Sequence, residues 1–294
     1  MFKGSNVALI TPFKNNGLDE EAYIKLIHFH MDNGTSGLVP AGTTGESPTL
    51  SHEEHQRVID LCIKESNGRI PVIAGTGSNS TEEAISLTTH AEKAGANGVL
   101  IVTPYYNKPT QEGLYQHYKA ISSVSPIPII LYNVPSRTSV NLSAETTLRL
   151  ANDFSNIVAI KEASGDLDQI KNILQNKSSN FYVLSGDDGL TYEMIKNGAS
   201  GVISVIGQSH PKEFSSMVSL SLKKNFEKAE IIHNKLFGYY HYLYSEGNPS
   251  GIKALLSLFK ISKNVLRLPL VPISNSLFNN LNPVSYTNLQ LPTN

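Results

Sequence analysis

The chain alternates eight times between a short apolar run and a helical pattern, and this restricts it to a parallel α/β architecture. The runs fall at residues 6–10, 37–40, 71–75, 98–102, 128–133, 157–161, 181–185 and 201–205. Between them apolar residues recur at helical spacing, as in Tyr23, Leu26, Ile27, His30 and Met31, or Val58, Leu61 and Cys62. Ser51 with Glu54, and Ser80 with Glu83, each form a capping box that opens a helix. Eight such units within about 220 residues fit a closed (β/α)8 TIM barrel better than an open doubly wound sheet.

A weak internal repeat agrees. Gly34-Thr-Ser-Gly37, Gly95-Ala-Asn-Gly98 and Gly198-Ala-Ser-Gly201 each lie between a helix and the next strand. The first glycine suits the left-handed residue that ends a helix, and the second a tight turn into the strand. After residue 205 the pattern turns helical over 211–263, with Gly247-Asn-Pro-Ser-Gly251 as a break. The expected division is a barrel over 1–224 and a C-terminal helical extension and tail over 225–294. From Leu268 periodicity fades among Pro and Asn, and the last ~15 residues are expected to lack order.

With 294 residues, 40% hydrophobic and 17% charged, the chain can bury a large core. Its net charge is −1 and it carries no Lys/Arg block, which argues against nucleic acid and anionic membranes as partners. The apolar runs are of strand length, no N-terminal secretion signal is evident, and the single cysteine, Cys62, has no intrachain partner. Together these point to a cytoplasmic protein with a buried, inert thiol.

The stretch Ile157-Val-Ala-Ile-Lys161-Glu-Ala-Ser-Gly165 ends a buried strand on a lysine. An ammonium is costly to desolvate there unless something uses it. Burial lowers a lysine's pKa and leaves an amine that is nucleophilic toward carbonyls. The plain alternative is a lysine whose head reaches water at the strand end. In a barrel, residues at strand C-termini line the active site. Here those ends lead to Gly42-Thr-Thr-Gly45-Glu46, Thr103-Pro-Tyr-Tyr106, Tyr132-Asn-Val-Pro-Ser-Arg137, Lys161 and Gly186-Asp-Asp188. The set offers a lysine, tyrosines, hydroxyls and an arginine, without a cluster of metal-ligand spacing.

Tyr132, one strand from Lys161, can pass protons as a phenol, or serve as an amphipathic core residue. The Gly42–Glu46 turn offers backbone N–H groups to an anion, although Gly/Thr loops are also common connectors. Gly75-Thr-Gly77-Ser-Asn-Ser80 lacks the third glycine and the acid of a dinucleotide fingerprint. Arg137 suits a substrate carboxylate or a surface ion pair. Asp187 and Asp188 sit where barrels often hold phosphate and would repel it, or they simply open the next helix. His52 and His55 are three apart, not the four of the zinc protease pattern.

Taken together, Gly42-Thr-Thr-Gly-Glu46, Val102-Thr-Pro-Tyr-Tyr-Asn107, Tyr132-Asn-Val-Pro-Ser-Arg137, Ile160-Lys-Glu162 and Leu184-Ser-Gly-Asp-Asp188 carry a resemblance. The chain resembles the Schiff-base lyase family that includes dihydrodipicolinate synthase and N-acetylneuraminate lyase, and its synthase branch most closely, over residues 4–272. The resemblance implies that Lys161 forms a Schiff base with pyruvate and that Tyr132, Thr43 and Tyr106 relay protons, with Tyr106 contributed across a dimer interface. Thr44 would hold the pyruvate carboxylate, and Arg137 that of aspartate semialdehyde. Gly186 and Ile203 would line the pocket. It further implies a lyase needing no metal or organic cofactor, a homotetramer built as a dimer of dimers, and allosteric inhibition by L-lysine. The effector residues would be Ser47, Pro48, His52, His55, Asn79, Glu83 and Tyr105.

Two departures stand out. Ser139 replaces the family's usual glycine, so a positive φ there would strain the turn or change it. The tail beyond Pro272 lacks the family's usual helix ending. Rival readings are a sugar-acid lyase of the same family, for which no polyol-binding residues are found, and a catalytically silent lysine-binding barrel, against which Lys161, Tyr132 and Tyr106 argue.

Overall fold

The computed structural model describes residues 2–15 and 17–287. Eight parallel strands form the barrel: β1 Gly4–Ala8, β2 Gly37–Val39, β3 Ile73–Gly75, β4 Gly98–Val102, β5 Ile129–Asn133, β6 Ile157–Glu162, β7 Tyr182–Ser185 and β8 Gly201–Ser204. Neighbours run β2-β1-β8-β7-β6-β5-β4-β3. A bridge between Leu38 and Val72, with Leu38 N–H donating to Pro71 O and Gly75 N–H to Pro40 O at 2.9 Å each, closes β2 onto β3. A helix follows every strand, from Glu20–Asp32 after β1 to Pro211–Leu222 after β8. The (β/α)8 barrel is thus observed, with strand ends within two residues of the sequence reading. β1 is displaced by two residues at both ends, starting at Gly4 with the polar Asn6 inside the strand. Asn6 is buried there, its amide donating to Phe2 O and Val202 O.

Two apolar layers hold the barrel. Inside it pack Phe2, Ala8, Val39, Ile73, Leu100, Ile130, Ala159, Leu184 and Ile203, joined by Tyr132. Outside, the strands pack on their helices in one cluster that runs on into Leu236, Leu243, Ile252, Leu255 and Leu256 of the extension. Each such side chain contributes roughly 1.5–3 kcal/mol when fully buried. The extension therefore shares the barrel's core. Both helices open where expected, but one full capping box forms: Ser51 accepts from Glu54 N while Glu54 accepts from Ser51 N, whereas Ser80 accepts from Glu83 N and the Glu83 carboxylate turns to Ser78 and His52.

The repeated turns behave half as read. Gly34, Gly95 and Gly198 take φ of +84°, +96° and +106° at helix ends. The second glycines answer to close approach rather than to a tight turn: a Cβ at Gly201 would lie 2.2 Å from Gly4 O. Ser139 adopts the left-handed conformation (φ +56°) that the family's glycine would suit, at a cost of roughly 1–2 kcal/mol.

The extension holds helices Phe226–Tyr244, Ser250–Leu258 and Asn275–Thr287. The last corrects the expected unstructured tail. Among its described side chains just Leu277 and Leu281 are buried, too few for a visible periodicity, and its start is fixed by Ser274 Oγ accepting from Leu277 N at 3.2 Å. The expected lack of order thus fails up to Thr287; the rest of that expectation, 288–294, lies outside the described residues. Among the described residues no helix is long and apolar enough to cross a membrane.

Candidate active site

Strands β5 and β6 set Tyr132 opposite Lys161 at their C-terminal ends. Tyr132 packs in the inner core, so its partner also faces the barrel interior. Lys161 is only 6% exposed, and its Nζ lies 4.2 Å from the centre of the Tyr132 ring. The amine is held inside the barrel instead of reaching into water. Gly186 makes room for it: a Cβ there would lie 3.1 Å from Lys161 Cε and 2.7 Å from Ala163 Cβ. Ile203, 1% exposed, packs in the same inner layer.

Tyr132 also lines a cleft of about 540 Å³, together with Thr43 and Arg137. Arg137 is exposed and donates through Nη2 to Asn248 O at 3.2 Å. The Gly42–Ser47 turn spends the N–H groups of Gly45, Glu46 and Ser47 on carbonyls of Gly42 and Thr43. The anion nest read from the sequence therefore narrows to the amides of Gly42, Thr43 and Thr44. Thr44 is buried, and its hydroxyl accepts from Asn248 Nδ2 at 2.9 Å. Asn248 thus touches both expected carboxylate-binding residues from the extension, a role that sequence reading missed. The sole signal was the Gly247–Gly251 break.

Glu46 ends this turn with a left-handed backbone (φ +55°) and a fully buried carboxylate. It pairs with Lys253, also 0% exposed in its side chain, and accepts from Arg267 N–H at 3.0 Å. Lys253 donates further to Val265 O at 2.8 Å. Burial pulls the Lys253 amine down to about 8, against the opposing pull of Glu46. A lysine in the apolar helical run Ile252-Lys-Ala-Leu-Leu256 is the same anomaly as Lys161, and was legible on the same grounds.

The expected effector residues share the cleft. Ser47, Pro48, His52, His55, Glu83 and Tyr105 line it, while Asn79 is not among the lining residues and offers its carbonyl to Asn107 Nδ2 at 2.9 Å. Hydrogen bonds from Ser78 and from His52, the latter at 2.8 Å, hold the Glu83 carboxyl below its ordinary range. Burial holds His55 down to about 4, so its ring is neutral at pH 7. Burial likewise raises the Tyr105 phenol.

Tyr106 is not brought to Lys161 within this chain. It is 89% exposed in a left-handed conformation (φ +71°), on the loop after β4. The two aspartates divide the readings offered for them. Asp187 holds the turn that leads into the next helix, its Oδ1 accepting from Leu190 N at 3.1 Å. Asp188 is buried and accepts from Val205 N at 3.1 Å and Ile206 N at 2.7 Å. A carboxylate of the chain itself therefore occupies the backbone donors where a barrel would seat phosphate. Burial raises Asp188, and these N–H donors oppose the rise.

Residues 1–284 match the dihydrodipicolinate synthetase family. The 4-hydroxy-tetrahydrodipicolinate synthase of Pelagibacter ubique (strain HTCC1062) is 56% identical over 278 residues, 94% of each chain. The chloride-inhibited dihydrodipicolinate synthase of Acinetobacter baumannii, solved in complex with pyruvate, superposes with a TM-score of 0.94 at 44% identity, covering 97% of this chain and 98% of that one. The enzyme of Cyanidioschyzon merolae with lysine bound gives 0.93 at 38% identity, over 96% and 97% of the two chains. Matched along nearly its whole length, the chain belongs to the dihydrodipicolinate synthetase family.

Proposed function

We propose that this chain is a lyase that condenses pyruvate with L-aspartate-4-semialdehyde to 4-hydroxy-tetrahydrodipicolinate, a step toward lysine and diaminopimelate. The observation that carries this is the Lys161 amine, buried in the barrel and seated against Tyr132, whose ring lines a cleft shared with Arg137. The amine adds to the pyruvate carbonyl and water leaves, giving an iminium. The iminium acts as an electron sink, so the Tyr132–Thr43 relay can take a proton from the methyl group; the resulting enamine attacks the aldehyde carbon, whose oxygen receives a proton back from the relay as the iminium re-forms. The substrate's own amine then adds to the iminium carbon, expels Lys161 and closes the ring. Covalent activation and positioning supply the catalysis, so no cofactor enters.

In this reading Tyr132 and Thr43 relay protons, and the exposed Tyr106 joins them from a second copy in a homo-oligomer, a tetramer built as a dimer of dimers. The Thr44 end of the turn takes the pyruvate carboxylate and Arg137 that of the semialdehyde, beside Gly186 and Ile203. A cytoplasmic location accompanies this reading. Borohydride reduction in the presence of pyruvate is expected to leave an adduct on Lys161 by mass spectrometry. Turnover of aspartate semialdehyde, and not of N-acetylneuraminate, then identifies the synthase. An unmodified Lys161 would leave the silent barrel ahead.

L-Lysine is the effector this reading expects, because the effector cluster opens into the same cleft and the C. merolae relative binds lysine. Glu83 supplies the carboxylate for an ammonium, and neutral His55 a ring acceptor. E83Q should raise the inhibitory lysine concentration by about tenfold, the worth of one charge-assisted hydrogen bond. A wild-type rate unchanged in millimolar L-lysine refutes the effector role.

A further inference from the structure

The strands that carry Lys161 and Tyr132 are not in simple register. β5 pairs regularly with β4, and β6 with β7, so the mismatch is taken up between β5 and β6. There Ile129 pairs with Ile157 but Ile130 with Ala159, and Val158 is passed over in a bulge. Beyond it Tyr132 stands opposite Lys161, and Asn133 opposite Glu162. Without the bulge Tyr132 would face Ile160. A one-residue slip moves a strand by about 3.3 Å and turns its side chains to the other face, which would aim Lys161 at the helices.

Two polar side chains bridge the bulged strands on the outer face, behind Lys161 and Tyr132. Asn133 and Glu162 are both buried, at 0% and 1% exposure. Asn133 Nδ2 donates to both Glu162 oxygens, at 3.1 and 3.2 Å. Ser164 N–H donates to Glu162 Oε1 at 2.8 Å and Gln169 Nε2 to Oε2 at 3.2 Å. Asn133 Oδ1 in turn accepts from Leu142 N at 2.9 Å. These contacts to Glu162 are all donors, so position 162 calls for a side chain that only accepts.

We propose that Glu162 is a positioning residue: by bonding Asn133 across β5 and β6 it holds the register that keeps Lys161 on the inner face beside Tyr132. The proposal rests on the Schiff-base reading of Lys161. E162Q turns a donor toward Asn133 and Gln169, and N133D sets carboxylate against carboxylate. N133D/E162Q restores a donor opposite an acceptor across the two strands with the roles exchanged, while the donor turned toward Gln169 stays and the bond from Asn133 Nδ2 to Asn141 Oδ1 at 2.8 Å is lost. Each single variant is expected to keep the near-UV spectrum and a cooperative melt while kcat falls ~100-fold or more, since a misplacement of about 1 Å already costs that much and a full slip is about 3.3 Å. The double variant should regain part of that loss, because the bond across β5 and β6 is re-formed. Single variants at wild-type kcat, or a folded double variant no better than the single ones, would overturn the proposal.

Should a single variant fail to fold, the double carries the test through the same kcat comparison. A wild type that leaves no borohydride adduct brings down the Schiff-base reading instead. The register is then read from a crystal structure of E162Q, where a displaced Tyr132–Lys161 pairing supports the proposal and an unchanged one overturns it.

Discussion

Lys161→Ala is expected to lower kcat on the order of 10⁴-fold or more and to abolish borohydride trapping with pyruvate. Alanine removes the atom that bonds the substrate, and the other buried amine, Lys253, is not placed to replace it: it is tied to Glu46 and lies over the ring of Phe13 rather than that of Tyr132. Lys161→Arg sharpens the test. Arginine keeps a positive charge and a long side chain, yet a guanidinium does not deprotonate in the working range and cannot serve as the nucleophile. If Lys161 acted merely as a charge beside the Tyr132 ring, the arginine variant would retain much of the rate. If it forms the iminium, arginine should be as inactive as alanine. Steady-state kinetics with the semialdehyde, run beside near-UV spectra to establish folding, decides the matter. Either variant holding a tenth of wild-type kcat would remove Lys161 from the chemistry.

The barrel was legible because each strand is a short apolar run and each helix a 3.6-residue pattern, both of which are local properties of the chain. Lys161 was legible as a charge at the end of such a run, and Tyr132 because adjacent β units become adjacent strands. The supports of the site were not. Asn248 meets Thr44 across more than two hundred residues, and Lys253 meets Glu46 at a similar separation, so no local pattern announces either pair. Glu162 follows Lys161 directly but points to the other face, and its bond to Asn133 depends on a bulge that the apolar run conceals. The helix Asn275–Thr287 went unread because two buried leucines in an Asn-rich segment make no stripe. What sequence shows is which residues could react; what tertiary structure adds is how they are held.

Lys253→Met is expected to destabilise the fold by about 3–5 kcal/mol, because it leaves the buried Glu46 carboxylate without its cation. For a chain of this size that corresponds to a melting point lower by roughly 6–20 °C. The double variant E46Q/K253M should melt close to wild type. The reason lies in the sign of the lysine shift. Burial outweighs the attraction of Glu46 and pulls Lys253 from 10.5 to about 8. The depressed amine means that the folded protein binds fewer protons than the unfolded chain between those values, so this group's contribution to stability rises as pH climbs through that window. Below it, the charged amine costs more in desolvation than the pair returns. Neutralising both partners removes cost and return together, and the amide oxygen introduced by E46Q can still accept from the Arg267 N–H. Calorimetric melts of the two variants at pH 7 separate the cases. A double variant that melts as low as Lys253→Met would show that the ion pair is a net source of stability, against the direction of the lysine shift.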